Sequence, residues 1–147
     1  IMSEFSIICN DFKDKEEIPK KFGYKHGNKQ PHIVAQNIPE NTRAIAIIMD
    51  DPDAMAAVGK VWLHVLYYSN AKDTDLGDAA VYYGKNDFGE IGYGGPAPPD
   101  KRHTYIFKAY ALDNILNLKE GYSKQELEDA MKGHILAEAK LTGTFAP

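Results

Sequence analysis

Apolar and polar positions divide the chain into several short stretches with a period of two and one late stretch with a helical period. Phe5-Ser6-Ile7-Ile8-Cys9 predicts a short strand, and the polar run Asn10 to Glu17 a loop. Pro19 biases Ile18 away from helix, so Ile18 to Phe22 reads as a short extended piece. Gly23 to Pro31 reads as turn, His32 to Ala35 as a brief strand, and Asn37 to Asn41 as turn. Within Arg43 to Met49 lies the unbroken apolar run Ala-Ile-Ala-Ile-Ile-Met, which predicts a strand buried on both faces. Val61 to Tyr68 predicts a second strong strand. Period two places Trp62, His64, Leu66 and Tyr68 on one face, with Trp62 as packing beneath His64. Asn70 to Asp78 reads as an acidic loop and Val81 to Tyr83 as a strand stub. His103 to Leu112 is the third strong strand, with His103, Tyr105, Phe107 and Ala109 on one face. Ser123-Lys124-Gln125-Glu126 is a capping box. After it Leu127, Ala130, Met131, His134, Ile135 and Ala139 recur at helical spacing, which predicts one amphipathic helix ended by Gly143. Many short strands with one late helix indicate a mainly β, mostly antiparallel fold in one domain over 1–147, the helix packed on one side.

One stretch has no apolar period. Asn86 to Pro99 carries four glycines between Gly89 and Gly95, then Pro96, Pro98 and Pro99. Glycines allow close approach and prolines fix φ, so this predicts a shaped loop with exposed N–H groups against a rigid shoulder. It leads directly into His103 and Tyr105 at the mouth of a strand.

Composition narrows the function classes. With 147 residues, 44% apolar and 26% charged, the balance is that of an ordinary globular domain. Lys+Arg 17 against Asp+Glu 21 leaves −4, which argues against a nucleic-acid binder. No apolar run reaches membrane-spanning length and no leader pattern opens the chain. Cys9 is the single cysteine, so no internal disulfide forms and a reducing, cytoplasmic setting is expected.

The candidate chemistry is a group of histidines and acids. Pro52 holds Asp51 extended, so Asp51 and Asp53 leave a strand end near one another. His64 stands mid-strand, where burial costs free energy unless its nitrogens are paired. A structural partner is one reading, and convergence with His103 in a pocket is the other. A carboxylate on one ring nitrogen fixes the tautomer and favours the protonated ring. Imidazolium with loop N–H groups makes an anion site, and a carboxylate there could accept from a ligand ammonium. Two histidines and a carboxylate also suit a metal triad, which spacing alone leaves open. His134 reads as a satisfied core histidine, and His26 and His32 carry no assignment. There is no G-x-S-x-G elbow, no H-E-x-x-H and no phosphate loop.

Asp50-Asp51-Pro52-Asp53-Ala54, Trp62-Leu63-His64, Asn86-Asp87-Phe88-Gly89 through Gly92-Tyr93-Gly94-Gly95-Pro96-Ala97-Pro98-Pro99, and His103-Thr104-Tyr105 occur in that order. Together with Gly133 to Ala139 and Leu141-Thr142-Gly143, they resemble the phosphatidylethanolamine-binding proteins, which include the Raf kinase inhibitor proteins, and especially their short bacterial and archaeal branch. The resemblance spans about Ile18 to Phe145. It implies a large antiparallel sheet packed against a smaller one, with a helix toward the C-terminus. It also implies a small pocket for anions such as phosphate or the phosphoethanolamine head group, formed by Asp51, Asp53, His64, Gly95, Pro96, His103 and Tyr105. No catalytic residue, metal or cofactor is implied. Eukaryotic members inhibit kinases or proteases, so such a protein partner is a further expectation, and a homodimer is left open. Three positions depart from the family pattern: Met55 in place of proline, Thr104 in place of arginine, and Ala97 where the short branch often has cysteine. The expectation is a non-enzymatic binding module for small anions or phospho-ligands. The alternatives are an inhibitor of proteases acting through its surface, and a hydrolase using the Asp/His/His cluster.

Overall fold

A computed structural model of the chain describes residues 4–71 and 74–147, so part of the loop expected at Asn70 to Asp78 lies outside the described residues. Two sheets carry the fold. The small one pairs β1 (Ser6–Cys9) antiparallel with β3 (Ile33–Gln36). The large one has the order β2-β8-β7-β4-β5-β6. Its members are β2 (Glu16–Glu17), β4 (Ala44–Asp51), β5 (Trp62–Ser69), β6 (Tyr82–Tyr83), β7 (His103–Leu112) and β8 (Ile135–Phe145). All its neighbours are antiparallel except β2, which runs parallel to β8.

The apolar run of β4 occupies the middle of the large sheet because every one of its residues is buried. Ile45, Ile47 and Met49 face one cluster with Ile7, Ile33, Tyr105 and Phe107. Ala44, Ala46 and Ile48 face a second cluster with Leu116, Leu127 and Met131. The sheet is therefore covered by the small sheet and its loops on one side. On the other lie α2 (Lys124–Met131) and the segment leading into it. The capping box forms as read: Ser123 accepts from the Glu126 N–H while the Glu126 carboxylate accepts from the Ser123 N–H.

Three local readings change, and one element is added. The helix stops at Met131 rather than running to Gly143. Gly133 has φ +82°, and the chain continues as the eleven-residue β8 along β7. Apolar residues at 135, 137, 139 and 141 satisfy a period of two as well as a helical one, and a long open edge on β7 decides between them. His134 thus leaves the core, and its half-exposed ring pairs with Asp113 at 2.8 Å. Lys20–Phe22 is a 3-10 turn after Pro19 rather than extended chain. Finally, Ala54–Val58 forms the short helix α1, closed by Gly59 at φ +81°.

Candidate functional site

One irregularity in the large sheet builds the site. Met49 pairs with Val65 and Asp50 with Leu63, so His64 is an extra residue on β5. The bulge breaks the alternation expected along this strand. Leu63, Leu66 and Tyr68 pack toward α2, whereas Val65 and Tyr67 pack into the opposite cluster, the side on which His64 meets Tyr105. The expected common face of Trp62, His64, Leu66 and Tyr68 is therefore divided, and Trp62 is a half-buried wall of a cavity instead of packing beneath His64.

The Gly/Pro loop is fastened across this bulge. His64 Nδ1 donates to the Gly94 carbonyl at 2.6 Å, and Gly94 N–H donates to the His64 carbonyl at 2.9 Å. Buried Asn86 organises the loop from within: its Oδ1 accepts from the N–H groups of Phe88 and Glu90, and its Nδ2 donates to the Gly92 carbonyl. A side chain at Gly94 would collide with the Phe88 ring, and one at Gly95 with the Phe22 carbonyl, so both positions need glycine for close approach. Phe88 then stacks on Tyr24 and meets Trp62 and His64 edge-on. The loop's N–H groups are mostly engaged in this work: Gly94 with His64, Gly95 with Asn28 and Gly89 with Asn86. They do not form the expected row of exposed donors.

The resulting cavity has a volume of about 140 Å³. Asp51, His64, His103 and Tyr105 line it. Ala54, Ala57 and Val58 from α1, with Trp62, Phe88 and Ala97 to Pro99, make its mostly apolar walls. Of the expected pocket residues, Asp53, Gly95 and Pro96 lie outside the lining. Asp53 turns away to accept from Thr104 N–H at 2.8 Å, Gly95 is tied to Asn28, and Pro96 faces a neighbouring groove. Met55 is exposed on α1, and Arg102 pairs with Glu17 on the outer surface, so Arg102 brings no charge to the cavity in place of Thr104.

The two histidines have different electrical surroundings. His103 Nδ1 lies 2.6 Å from Asp51 Oδ2 and its Nε2 2.7 Å from Asp100 Oδ1. Burial disfavours the charged ring, but the hydrogen bonds to Asp51 and Asp100 outweigh it and raise its pKa. The same bond lowers the pKa of Asp100. For His64, burial dominates and lowers the pKa, despite the Gly94 carbonyl and the charge of Asp51 acting the other way. The His64 ring, its pKa lowered, is neutral at pH 7 with its proton on Nδ1, whereas both ring nitrogens of His103 face carboxylate oxygens, which accept, so its two bonds call for a protonated ring. Burial, with the charge of Asp51 second, also raises the Tyr105 hydroxyl, which keeps its proton.

Three buried polar atoms of residues that line this cavity lack a close hydrogen-bond partner among the described residues: Asp51 Oδ1, Trp62 Nε1 and the Tyr105 hydroxyl, on which the Ala97 N–H acts only weakly. Buried polar groups are ordinarily paired, so an acceptor, a donor and a hydroxyl without close partners set the walls of this cavity apart. The metal triad that spacing left open does not assemble here among the described residues. Among the described residues, the group that brings three ligand atoms within 4.8 Å of one another is His32, Asp75 and Asp78 on the surface.

The sequence reading did not place Ala57, Val58, Trp62, Phe88, Pro98, Pro99 or Asp100 at the site. The Ala-Met-Ala-Ala run before Gly59 carries a helix signal for α1, and Asp100 three residues before His103 is in reach of its ring. Nothing in the sequence pattern signals the fold of Phe88 onto Trp62.

The fold and this cavity define a mainly β domain of two sheets with one small, apolar-walled site at the bulged end of the large sheet. The family model described as phosphatidylethanolamine-binding protein matches residues 9–146, and the chain belongs to that family. A UPF0098 protein of Methanothermobacter thermautotrophicus is 37% identical, with 95% of this chain and 97% of that protein covered. A UPF0098 protein of Chlamydia muridarum is 40% identical with the same coverage. The crystal structure of a putative phosphatidylethanolamine-binding protein homologue, CT736, from Chlamydia trachomatis matches with TM-score 0.86 and 33% identity, covering 96% of both chains. That of E. coli YbcL, described as a member of the mammalian family, matches with TM-score 0.86 and 28% identity over 97% of this chain and 98% of the other. Among the described residues no helix is long and apolar enough to cross a membrane.

Proposed function

We propose that the chain is a non-enzymatic binding protein whose cavity takes a compact anionic group such as a phosphate ester. Asp51, His64, Trp62 and Tyr105 contact the ligand, and His103 holds Asp51 in place. The observation that supports this is the trio of polar atoms without close partners on an apolar-walled cavity of about 140 Å³. Tyr105 and Trp62 supply donors to the anion. Because His64 Nδ1 already donates to Gly94, its Nε2 meets the ligand. A neutral Nε2 has only a lone pair, so an anion needs one proton shared between itself and the ring, brought by a singly protonated phosphate ester or taken up by His64. Asp51 Oδ1 is left to accept from a donor or ammonium on the same ligand, a pattern that phosphoethanolamine matches.

The hydrolase alternative finds less support. Both nitrogens of His103 are held by carboxylates, so it has no free lone pair with which to activate water, and His64 Nε2 alone is left as a base, without the second histidine that the alternative requires. Regulation of a kinase or protease remains a proposal from the family resemblance alone.

Titration calorimetry with inorganic phosphate and with O-phosphoethanolamine tests the reading. Trp62→Phe and Tyr105→Phe each remove one donor and leave a ring in place, and each is expected to weaken binding about tenfold. No heat with either compound, or unchanged affinity in both variants, would contradict it.

A further inference from the structure

On the far side of the Ala97-Pro98-Pro99 wall from the cavity, a second depression runs between three segments. One part, of about 180 Å³, lies between Lys25, His26 and the prolines of the loop. The other, of about 430 Å³, lies between Pro19, Lys20 and His26. Phe145 and His26 border both, so the two parts join into one groove. The walls are fixed from behind. Tyr24 N–H donates to the Pro96 carbonyl at 2.9 Å, and Gly23 packs so closely on Phe145 that a side chain there would displace the ring.

The rim is basic in a chain of net charge −4. From residue 18 to residue 39 there are four lysines and no aspartate or glutamate. Lys20 and Lys25 are exposed and, among the described residues, have no ion-pair partner. Glu17, the acid that borders the groove, is engaged by Arg102 at 3.1 Å and by the Thr144 hydroxyl at 2.6 Å. It makes no ion pair with Lys20 or Lys25. A proline-lined depression with a cationic rim suits an extended chain that carries apolar and acidic side chains in turn. A bilayer is a flatter partner than a groove walled on both sides, and a single anion is much smaller than these volumes.

We propose that this groove docks an extended acidic peptide segment of a partner protein, its carboxylates on Lys20 and Lys25 and its apolar side chains against Pro19 and Pro99. The inference is independent of what the cavity binds.

Fluorescence anisotropy with a fluorescein-labelled peptide of alternating glutamate and leucine tests it on the whole chain. The peptide is expected to bind, and to bind less tightly as salt screens the lysines. Lys20→Glu with Lys25→Glu is expected to weaken it by about tenfold or more. Lys119→Glu with Lys132→Glu, which reverses exposed charges flanking α2, is expected to leave it unchanged. Both double variants alter exposed side chains, and matching thermal midpoints show that both are folded. Absence of binding, or equal loss in the two double variants, overturns the proposal. So does flotation with vesicles of phosphatidylserine and phosphatidylcholine in equal parts, lost in Lys20→Glu/Lys25→Glu, from a protein that ignores the peptide. That result would make the lysines a membrane contact.

Discussion

His64 and His103 stand on strands separated by β4, border the same cavity and are both buried, yet one ring is neutral and the other is held as a cation. The difference lies in what each ring faces. His64 meets a backbone carbonyl, whose partial charge does not offset burial, and remains neutral. His103 meets two carboxylates, which do offset it, and is protonated. The side that would touch ligand in the proposed reading is thus electrically quiet and able to take a proton, while the charged side is spent on the protein's own acids. A cavity lined by imidazolium and loop N–H groups, the anion site read from the sequence, would attract any anion. In the proposed reading this one requires the ligand to come with a proton or to draw one in.

The largest way to break the comparison is to take the carboxylate from His103. Asp51→Ala leaves a buried cation with one partner, and a loss of about 3–5 kcal/mol is expected in urea unfolding at neutral pH. A loss below about 1 kcal/mol would mean that His103 is not held as an ion. Trp62→Ala is next. Because Trp62 is a half-buried wall, about 1–2 kcal/mol is expected, less than the full cost of a core tryptophan. A larger loss in the same assay would return Trp62 to the role of core packing.

A smaller effect separates the two rings by pH. The pKa of His103 is raised in the folded state, so its stabilisation is complete below the unfolded value of about 6.5 and is lost as pH rises through the folded value. That of His64 is lowered, so its contribution is complete above about 6.5 and is lost as pH falls through the folded value. Relative to wild type, His103→Gln should therefore cost most at acidic pH and His64→Gln most at neutral pH and above. Parallel profiles for the two variants would remove the distinction. The smallest expected change is in Asp100→Asn, which takes away the more exposed of the two carboxylates. The His103 titration, followed by NMR, should move to lower pH while staying above that of His64. No movement would mean that Asp100 does not act on the ring.

How far the sequence reveals this depends on whether neighbours in sequence or neighbours in space decide. β4 is legible because burial on both faces leaves an unbroken apolar run, and β7 because its alternation has no interruption. The start of α2 is legible because a capping box is local. β8 is not, since Ile135, Ala139 and Leu141 fit two periods and the open edge of β7 makes the choice. The bulge at His64 is not legible either: it is a mismatch of register between β4 and β5, and a single strand's pattern cannot contain it. Because of it, Trp62 and His64 reach the cavity while Leu66 does not. The His103 clamp joins residues 52 positions apart on one side and three on the other, so only its Asp100 half lies within local reach. The motifs did bring Asp51, His64, His103 and Tyr105 together correctly as neighbours. The charge on each ring came from partners that the motifs do not name.

The central claim is that an anion in this cavity shares a proton with His64. Sulfate tests it most directly, because sulfate keeps its charge where imidazole titrates, so any proton must go to the protein. Its affinity should be measured by calorimetry from about pH 5 to about pH 8.5 at constant ionic strength, in wild type, His64→Gln and His103→Gln. Binding should raise the low pKa of His64, so affinity is expected to fall with rising pH, approaching about tenfold per pH unit between the free and bound values. The slope should disappear in His64→Gln and persist in His103→Gln. A flat wild-type curve, or a slope that survives in His64→Gln and is lost in His103→Gln, would contradict the account.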